Sequence, residues 1–394
     1  MRDIIFISME NWDDIWRRNQ FLCAGLTRRF PGVRILFVGI HRDLTYVLRS
    51  GNMKHLLAKA PLHPGGFENI TFIRPLKFLP TKFSLGRRFN EWTMRRMVSR
   101  WSRRLGFSGP VLWINGHYAA DMVGKMVESQ VVYDITDDWT QFTQTPALRQ
   151  LTIEQDAALC RRADHVIVCS QKLLEDKTPL CRDLHLVPNG VEIEHYASVL
   201  DAHLPVPEAA NAWPKPVLGY TGTAHPDRVD VDLVEKIARR MKQGSVVFVG
   251  PNQLPETDRQ RLAACGNFIM HGPVPYRDIP AYMRAFDVCI TPHCVTPFTE
   301  SLNPIKLWEY LAAGKPIVAT PVAGFRDYPE HVYLAGDAEE FLAAVEAALA
   351  EPPAKRLARQ AEVAAHSWEA RVQKIAAILG SQGSPSPMPE AAIA

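Results

Sequence analysis

The chain has 394 residues, of which 47% are hydrophobic and 22% charged, and its formal net charge is +3. This length allows two or three domains with a substantial core, and the composition is that of a soluble globular protein. A net charge this close to zero gives no general reason to expect a nucleic acid as partner.

Cysteine usage and the first residues bear on location. Seven cysteines are scattered without a CxxC pair, so they predict neither a zinc site nor a redox pair, and a reduced cytosol is the simpler interpretation. Cys289, His293 and Cys294 supply too few ligands for a closed metal site, and we expect no metal or other cofactor. Residues 3–8 lack the apolar length of a signal peptide, and no stretch reaches the roughly eighteen apolar residues that span a bilayer. We therefore expect a cytoplasmic protein, free or at the inner face of the cell membrane.

The first half of the chain alternates short apolar runs with helical patterns. The runs cover residues 4–8, 35–40, 70–73, 111–115, 131–135, 166–170 and 184–187. Strands that alternate with helices predict an α/β fold with a parallel sheet. Ligands of such sheets bind beyond the carboxyl ends of the strands, so the residues that follow each run are candidates for a site.

The segment after the first run is polar and aromatic and leads into a helix. Within residues 9–20, Asn11, Arg17 and Arg18 are candidate ligand contacts. The alternative is a capped surface helix with acidic residues in its first turn.

Residues 87–105 form a strongly basic amphipathic pattern. The apolar stripe consists of Met94, Met97, Val98, Trp101 and Leu105, and the other side carries Arg87, Arg88, Arg95, Arg96, Arg100, Arg103 and Arg104. Phe89 and Trp92 project among the arginines. A basic helix with exposed aromatic side chains favours an anionic membrane surface as partner. The alternative is a core-packed helix with a solvated arginine face. Nucleic acid is not expected, because no nucleic-acid-binding motif accompanies the helix.

Two further strand ends in this half carry chemically useful side chains. Asp137 and Asp138 follow the run 131–135, where a carboxylate can take part in chemistry, although an Asp pair can also cap a helix. His117, just beyond the run 111–115, is a further candidate.

A segment rich in proline and alanine at residues 201–216 predicts a linker. A second series of apolar runs follows at residues 217–222, 246–250, 268–270, 288–291, 317–320 and 332–334. We therefore expect two Rossmann-like domains, residues 1–200 and 217–364, that face a central cleft.

The first two runs of this second series end in glycine. Gly222 ends the first run and Thr223 follows it; Gly250 ends the second run and Pro251 follows it. Glycine lets the backbone approach a phosphate group, and Arg228 could clamp a diphosphate with two hydrogen bonds. The alternative for Arg228 is a surface position at the start of a helix.

Residues 299–321 have the pattern of a loop, a helix, a turn and a strand. Asn303 suits a helix N-cap, and Gly314 suits the helix end. Lys306 and Glu309 then share one side of a short helix. The helix N-terminus and Lys306 would hold phosphate oxygens, and Glu309 would accept hydrogen bonds from a ribose diol, which suits a nucleotide diphosphate. The alternative is a surface helix with a Lys–Glu pair worth about 0.2–0.5 kcal/mol.

This stretch resembles the donor-binding helix of retaining, two-domain GT-B glycosyltransferases of the bacterial surface-polysaccharide group. The closest pattern is that of a subgroup with Asn-Pro-x-Lys-x-x-Glu-Tyr-x-Ala-x-Gly-Lys-Pro. The resemblance extends over nearly the whole chain, to about residue 379. The wider family carries two glutamates eight positions apart. The second corresponds to Glu309, whereas the first falls on Ser301, with Glu300 as the nearest carboxylate.

The resemblance implies transfer of a sugar from a nucleotide-diphosphate donor to a glycan or lipid-linked acceptor, with retention of anomeric configuration. Together with the residue patterns it predicts three groups of site residues. The catalytic residues are Asp137, Lys306 and Glu300; the donor-binding residues are Glu309, Asn303, Ser301, Ile305, Arg228, Gly222, Thr223, Gly250 and Pro251; the acceptor-side residues are Asn11, Arg17, Arg18, Asp138 and His117. Two other functions stay open, a nucleotide-sugar epimerase on the same fold and a non-catalytic nucleotide-sugar-binding scaffold.

The end of the chain completes the expected organisation. The resemblance implies that a helix at residues 365–379 crosses back to the first domain. Residues 380–394 are rich in Gly, Ser, Pro and Ala, a composition that predicts a disordered tail.

Overall fold

The computed structural model describes residues 2–13, 15–50 and 62–380. These residues divide into two compact units, one of residues 2–188 together with 371–380 and the other of residues 189–370. The predicted disordered tail, apart from Gly380, lies outside the described residues.

The first unit is built on parallel strands. They are β1 Ile4–Ile7, β2 Ile35–Val38, β3 Arg42–Asp43, β4 Ile70–Ile73, β5 Leu76–Lys77, β6 Val111–Ile114, β7 Gln130–Ile135, β8 His165–Val168 and β9 Leu184–Leu186. Seven of them form one sheet in the order β4-β2-β1-β6-β7-β8-β9, while β3 and β5 pair separately. Every apolar run predicted in this half forms a strand, because the inner strands of a parallel sheet are buried on both faces.

In the described part of the first unit, five helices precede the second unit in the chain. They are α1 Arg18–Arg29, α2 Leu44–Ser50, α3 Ser84–Arg104, α4 Pro146–Arg162 and α5 Gln171–Lys177. Within the described part of the chain, no helix combines the length and the apolar character that crossing a membrane requires.

The second unit repeats this architecture. Its strands are β10 Val217–Thr221, β11 Ser245–Val249, β12 Phe268–Gly272, β13 Val288–Thr291, β14 Ile317–Ala319 and β15 Tyr333–Leu334, in the sheet order β12-β11-β10-β13-β14-β15. Its helices are α6 Ile193–Ala197, α7 Glu208–Asn211, α8 Val231–Arg240, α9 Glu256–Ala263, α10 Ile279–Arg284, α11 Ile305–Ala312, α12 Ala338–Leu349 and α13 Ala354–Glu362. The last helix, α14 Trp368–Gly380, begins in this unit, and its residues from Arg371 onward belong to the first unit.

Both large sheets have the strand order of a Rossmann fold. The order reverses between β1 and β6 in the first unit and between β10 and β13 in the second. Ligands of open parallel sheets bind outside the carboxyl ends of the strands at this reversal point. In the second unit the segments that follow β10 and β13 are therefore the expected position of a ligand site.

The predicted linker at residues 201–216 is instead part of the second unit. Ala210 and Trp213 are 2% and 6% exposed, and they share one core with Tyr196 and Phe286. The ring of Trp213 stacks on that of Phe286 with 6.1 Å between centroids. The division between the units follows Pro188 rather than residue 200, because this proline-rich segment packs against its own sheet.

Candidate functional site

The carboxyl ends of β10 and β11 form a floor of bare backbone, which we call the glycine floor. Gly222 and Gly250 adopt φ of +121° and +148°, which side chains disfavour. The Gly222 N–H donates to the Val249 carbonyl at 2.8 Å, and a Cβ on Gly250 would lie 2.2 Å from the Gly222 carbonyl oxygen. The carbonyls of Thr223 and Pro251 accept hydrogen bonds within the same turns. A ligand at this point of the sheet edge would therefore meet main-chain atoms.

The ammonium group of Lys306 lies directly over the glycine floor. A Cβ on Gly222 would come within 2.6 Å of Lys306 Nζ, and Nζ lies 5.0 Å from the ring centroid of Tyr220. Among the described residues no carboxylate forms an ion pair with Lys306. Its positive charge is therefore available to an anion that rests on the floor.

Helix α11, which carries Lys306, begins at Ile305 with Pro304 as its N-cap. Among the described residues no side chain caps it. The Leu307 N–H donates to the Pro304 carbonyl at 3.2 Å, so the N–H groups of Ile305 and Lys306 are left for other acceptors. The prediction that Asn303 is the N-cap is wrong. Asn303 Oδ1 accepts the backbone N–H of Asn189 at 2.8 Å, and its carbonyl accepts Asn189 Nδ2–H at 2.6 Å. Asn303 thus fixes the loop in front of the helix.

Tyr310 anchors α11 to the sheet. Its hydroxyl is buried and accepts the backbone N–H of Thr221 at 3.0 Å, so it holds the last residue of β10. The sequence analysis missed this role of Tyr310. The available signal was a single phenol among apolar helix residues. The predicted helix end is confirmed, since Gly314 adopts φ of +63° directly after the helix.

Glu309 lies half-buried one turn after Lys306. Its Oε1 accepts a hydrogen bond from the Tyr196 hydroxyl at 2.8 Å, and Tyr196 is fully buried on α6. Burial raises the pKa of Glu309, whereas the Tyr196 hydrogen bond and the charge of Lys306 lower it. Tyr196 therefore orients the carboxylate and favours its ionised form.

The charges of two cations, Lys306 and Arg228, act on the buried His293. His293, which follows β13, is 2% exposed. Burial first, and then the charges of Lys306 and Arg228, hold the pKa of His293 well below its usual range. A neutral imidazole thus has Lys306 and Arg228 near it at the reversal point of the sheet. The guanidinium of Arg228 also lies 5.7 Å from the ring centroid of Phe298.

The loop before α11 is directed inward. Ser301 is 1% exposed, and its hydroxyl donates to the carbonyl of Phe298 at 2.8 Å. Its side chain therefore serves its own loop rather than the predicted donor contact. Glu300 pairs with Arg326 at 2.5 Å, and its Oε1 is buried without a hydrogen-bond partner in the described structure. This ion pair was not predicted.

In the first unit, Arg18 is a structural residue. It is 3% exposed, its guanidinium pairs with Asp134 at 3.0 Å, and Nη1 donates to the carbonyl of Val187 at 2.9 Å. Arg18 was predicted to contact a ligand, whereas in the structure its charge and hydrogen bonds are used inside the fold, by Asp134 and the carbonyls of Val187 and Pro188. The side chain of the neighbouring Arg17 is 33% exposed, and its Nη1 lies 3.3 Å from Asp13 Oδ1.

The other acceptor-side candidates differ in their surroundings. Asp138 is 6% exposed and accepts the Thr140 N–H at 3.1 Å, a contact within a turn, so it does not cap a helix, because the next helix begins only at Pro146. Asp137 is half-buried just beyond β7. Burial lowers the pKa of His117. Asn11 Oδ1 is buried without a hydrogen-bond partner among the described residues. Asn11 therefore fits a ligand-facing role better than Asp138, and the predicted role of Asp137 stays a prediction.

One group of side chains in the described structure has the composition of a metal site. His165 Nδ1 and His185 Nε2 lie 2.5 and 2.7 Å from Asp183 Oδ2. The group lies at β8 and β9 of the first unit, and the same distances describe hydrogen bonds from two imidazoles to one carboxylate. The glycine floor is part of the other unit.

Comparison with known proteins connects this geometry to a family. Residues 215–351 match the family described as glycosyl transferases group 1. TuaH of Bacillus subtilis (strain 168), whose name assigns it provisionally to teichuronic acid biosynthesis as a glycosyltransferase, is 29% identical over 235 residues. The similar region covers 56% of this chain and 58% of TuaH, which is less than two thirds of that relative.

Solved structures resemble the chain over nearly its full length. HepE of Anabaena, crystallised in complex with UDP and glucose, has a TM-score of 0.67 at 18% identity and covers 97% of this chain and 100% of its own. An α,α-trehalose-phosphate synthase (UDP-forming) of Burkholderia vietnamiensis has a TM-score of 0.66 at 14% identity and covers 96% and 98%.

These similarities and the two Rossmann-ordered sheets show that the chain has the GT-B fold, as predicted. Within that fold, the part of the chain that matches the glycosyl transferases group 1 family is residues 215–351, which contain the glycine floor and α11.

Proposed function

We propose that the chain is a glycosyltransferase that moves a sugar from a nucleotide-diphosphate donor to a hydroxyl group of a glycan or lipid-linked acceptor in surface polysaccharide synthesis. The observation that carries the proposal is the unpaired ammonium of Lys306 over the glycine floor, with Glu309 one turn further along α11. The family match of residues 215–351 and the similarity to TuaH support it.

The second unit binds the donor. The diphosphate rests against the glycine floor, where Lys306, Arg228 and the N–H groups of the first turn of α11 meet its oxygens. The ionised Glu309 accepts hydrogen bonds from the ribose diol. HepE in complex with UDP and glucose supports a nucleotide-sugar donor and makes UDP the first nucleotide to test.

The transfer breaks the bond between the anomeric carbon and the phosphate oxygen. Negative charge then grows on the departing diphosphate, so Lys306, Arg228 and the helix N–H groups stabilise the transition state more than the bound donor. The acceptor oxygen forms the new bond to the anomeric carbon, and its proton passes to the departing diphosphate oxygen. By the family resemblance the anomeric configuration is retained. These groups supply the positive charge without a metal ion.

The first unit serves the acceptor. Asp137, at the carboxyl end of β7, orients the acceptor hydroxyl. We place the protein at the cytoplasmic face of the cell membrane, where a lipid-linked acceptor is available, with the basic helix α3 as the membrane contact.

Nucleotide binding tests the donor site directly. We expect one of UDP, GDP and dTDP to raise the melting temperature, because a ligand at a hundred times its Kd stabilises a protein by about 2.7 kcal/mol. At equal nucleotide concentration the shift should be much smaller in Glu309→Gln and Lys306→Gln than in the wild type, and it should persist in Lys242→Gln, which alters an exposed lysine of the same unit. If no nucleotide shifts the wild type, the donor site is wrongly placed.

Product formation separates the three functions considered. With a lipid-linked acceptor and saturating donor, Lys306→Gln should lower turnover by about 10²–10³-fold, as for loss of one group that stabilises developing charge. Full turnover in this variant would remove Lys306 from the mechanism. Interconversion of the donor sugar without acceptor would favour an epimerase, and nucleotide binding without any product would favour a scaffold.

A further inference from the structure

Helix α3 has an exposed face that is used neither by the donor site nor by the core of the first unit. Its buried residues recur every four positions, at Gly86, Asn90, Met94, Val98 and Ser102. Met97, Trp101 and Leu105 pack against the same core, which confirms the predicted apolar stripe. The opposite face is therefore free of any packing role in the described structure.

This opposite face changes character along its length. Leu85, Phe89 and Trp92 are 79%, 42% and 44% exposed, and Phe83, just before the helix, is 59% exposed. The face then continues with exposed arginines. The whole series, at intervals of three or four residues, is Leu85, Phe89, Trp92, Arg96, Arg100 and Arg103. Residues with this spacing lie on one side of a helix, so an apolar half is followed by a basic half.

The basic half is not neutralised by neighbouring acids. Arg88, Arg96, Arg100, Arg103 and Arg104 are all exposed, and none forms an ion pair within the described residues. The guanidinium of Arg96 lies 5.0 Å from the ring centroid of Trp92, where the two halves meet. The face therefore carries net positive charge next to exposed aromatic surface.

Two arginines that the sequence pattern assigned to this face belong elsewhere. Arg95 pairs with Asp121 at 2.7 Å, and Arg87 lies 3.9 Å from Glu91, the single acidic residue of α3. Both arginines are half-buried. The two ion pairs therefore lie outside the exposed face and do not neutralise the exposed arginines on it.

The apolar half extends beyond the helix. Phe78 and Leu79 are 39% and 41% exposed, and the ring of Phe78 meets that of Phe89 with 6.1 Å between centroids. Exposed apolar side chains grouped in this way mark an interaction surface rather than ordinary solvent-facing positions.

We infer that this face docks on an anionic lipid bilayer, with its apolar half inserted among the acyl chains and its arginines on the headgroup phosphates. A bilayer presents an apolar layer next to an anionic one, which is the order found along α3. Nucleic acid would pair with the arginines but would leave Leu85 and Phe83 in water. Because a helix rises 1.5 Å per residue, Leu85 and Trp92 are separated by about 10 Å along the axis, so α3 enters tilted, with its amino end deeper.

Vesicle co-sedimentation of the full chain tests the inference. We expect binding to vesicles of phosphatidylcholine with one third phosphatidylglycerol, and little binding to phosphatidylcholine alone. Each surface arginine contributes roughly a factor of five to such binding. The triple variant Arg96→Gln, Arg100→Gln, Arg103→Gln should therefore bind about 100-fold more weakly. A matched triple of exposed arginines in the second unit, Arg240→Gln, Arg259→Gln, Arg277→Gln, should bind like the wild type.

The insertion of the apolar half is tested by measuring how deeply Trp92 lies in the bilayer. Lipids brominated on their acyl chains should quench part of the tryptophan fluorescence of the bound protein, and the quenching should largely disappear in Trp92→Phe. The double variant Leu85→Ser, Phe89→Ser should still bind at low salt and be released at moderate salt, since only attraction between charges is screened.

Three results would overturn the inference: equal binding to neutral vesicles, equal binding by the two arginine triples, or quenching that survives in Trp92→Phe. Preference for a single-stranded oligonucleotide over anionic vesicles would assign the face to nucleic acid. All these substitutions are at exposed positions, and the nucleotide-induced melting shift of each variant reports on folding. The proposals for the docking surface and for the donor site can therefore be refuted independently of each other.

Discussion

At the scale of single residues, the proposed donor site depends on partners that are distant in sequence. Tyr196 is 113 positions from Glu309, to which it donates a hydrogen bond. Lys306 and Glu309 could be identified from the sequence because charge, spacing and helix signals are local. The roles of Tyr196 and Asn303 could not, because they arise from packing between elements. Burial of Arg18 was equally hidden, since a polar residue after a strand looks the same whether it meets a ligand or a buried carboxylate.

The hydroxyl of Tyr196 should control the pH dependence of nucleotide binding. Burial raises the pKa of Glu309 and Tyr196 lowers it, so Tyr196→Phe should raise this pKa further. Binding that needs the ionised carboxylate weakens as pH falls through the pKa of Glu309. The weakening should begin at higher pH in Tyr196→Phe and be absent in Glu309→Gln. Titration calorimetry from pH 5 to 8 measures this, with Tyr282→Phe as control. Identical profiles for the wild type and Tyr196→Phe would refute the role.

At the scale of elements, prediction succeeded where burial leaves a continuous signal. Each predicted apolar run forms a strand, because parallel strands covered on both faces consist of successive apolar residues. The two-residue strands β3 and β5 are too short to leave such a signal. The start of α11 was misplaced because the amide of Asn303, a good cap by its chemistry, is used by Asn189.

The turn after β10 offers a test of how the glycine floor positions Lys306. Gly222→Ala introduces strain at φ of +121° and places a methyl group 2.6 Å from Lys306 Nζ. We expect a stability loss of about 1–3 kcal/mol and at least a tenfold loss of nucleotide affinity, because the lysine must move.

Gly266→Ala is the matched control for this substitution. Gly266 has φ of +75° in the same unit, and a Cβ there meets nothing within 4 Å. It should lose stability but keep its nucleotide affinity. If calorimetry gave both variants the same nucleotide affinity, the glycine floor would not be what positions Lys306 for binding.

At the scale of the whole molecule, the two-unit organisation was predictable from two successive series of apolar runs. The boundary was not, because proline and alanine enrichment describes composition and does not reveal contacts. Residues 201–216 contain buried Ala210 and Trp213, so the segment stabilises the second unit.

Trp213→Ala should therefore act as a core substitution. Removal of a buried tryptophan costs about 3–5 kcal/mol, whereas truncation of a linker residue costs almost nothing. Urea unfolding followed by circular dichroism at 222 nm should show the loss in one of the unfolding transitions. Leu349→Ala, at a position that is 45% exposed in the same unit, should change little. A similarly small effect of Trp213→Ala would restore the linker interpretation.

The attachments of α11 limit what can be exchanged between related proteins. The helix meets Tyr196 through Glu309, Thr221 through Tyr310 and Gly222 through Lys306, and these three partners lie on other segments of the chain. A chimera that takes only this helix from a relative would contain the relative's charged side chains without the residues that position them. Grafting a new donor preference onto this scaffold therefore requires the helix and its three partners to be transplanted as one set.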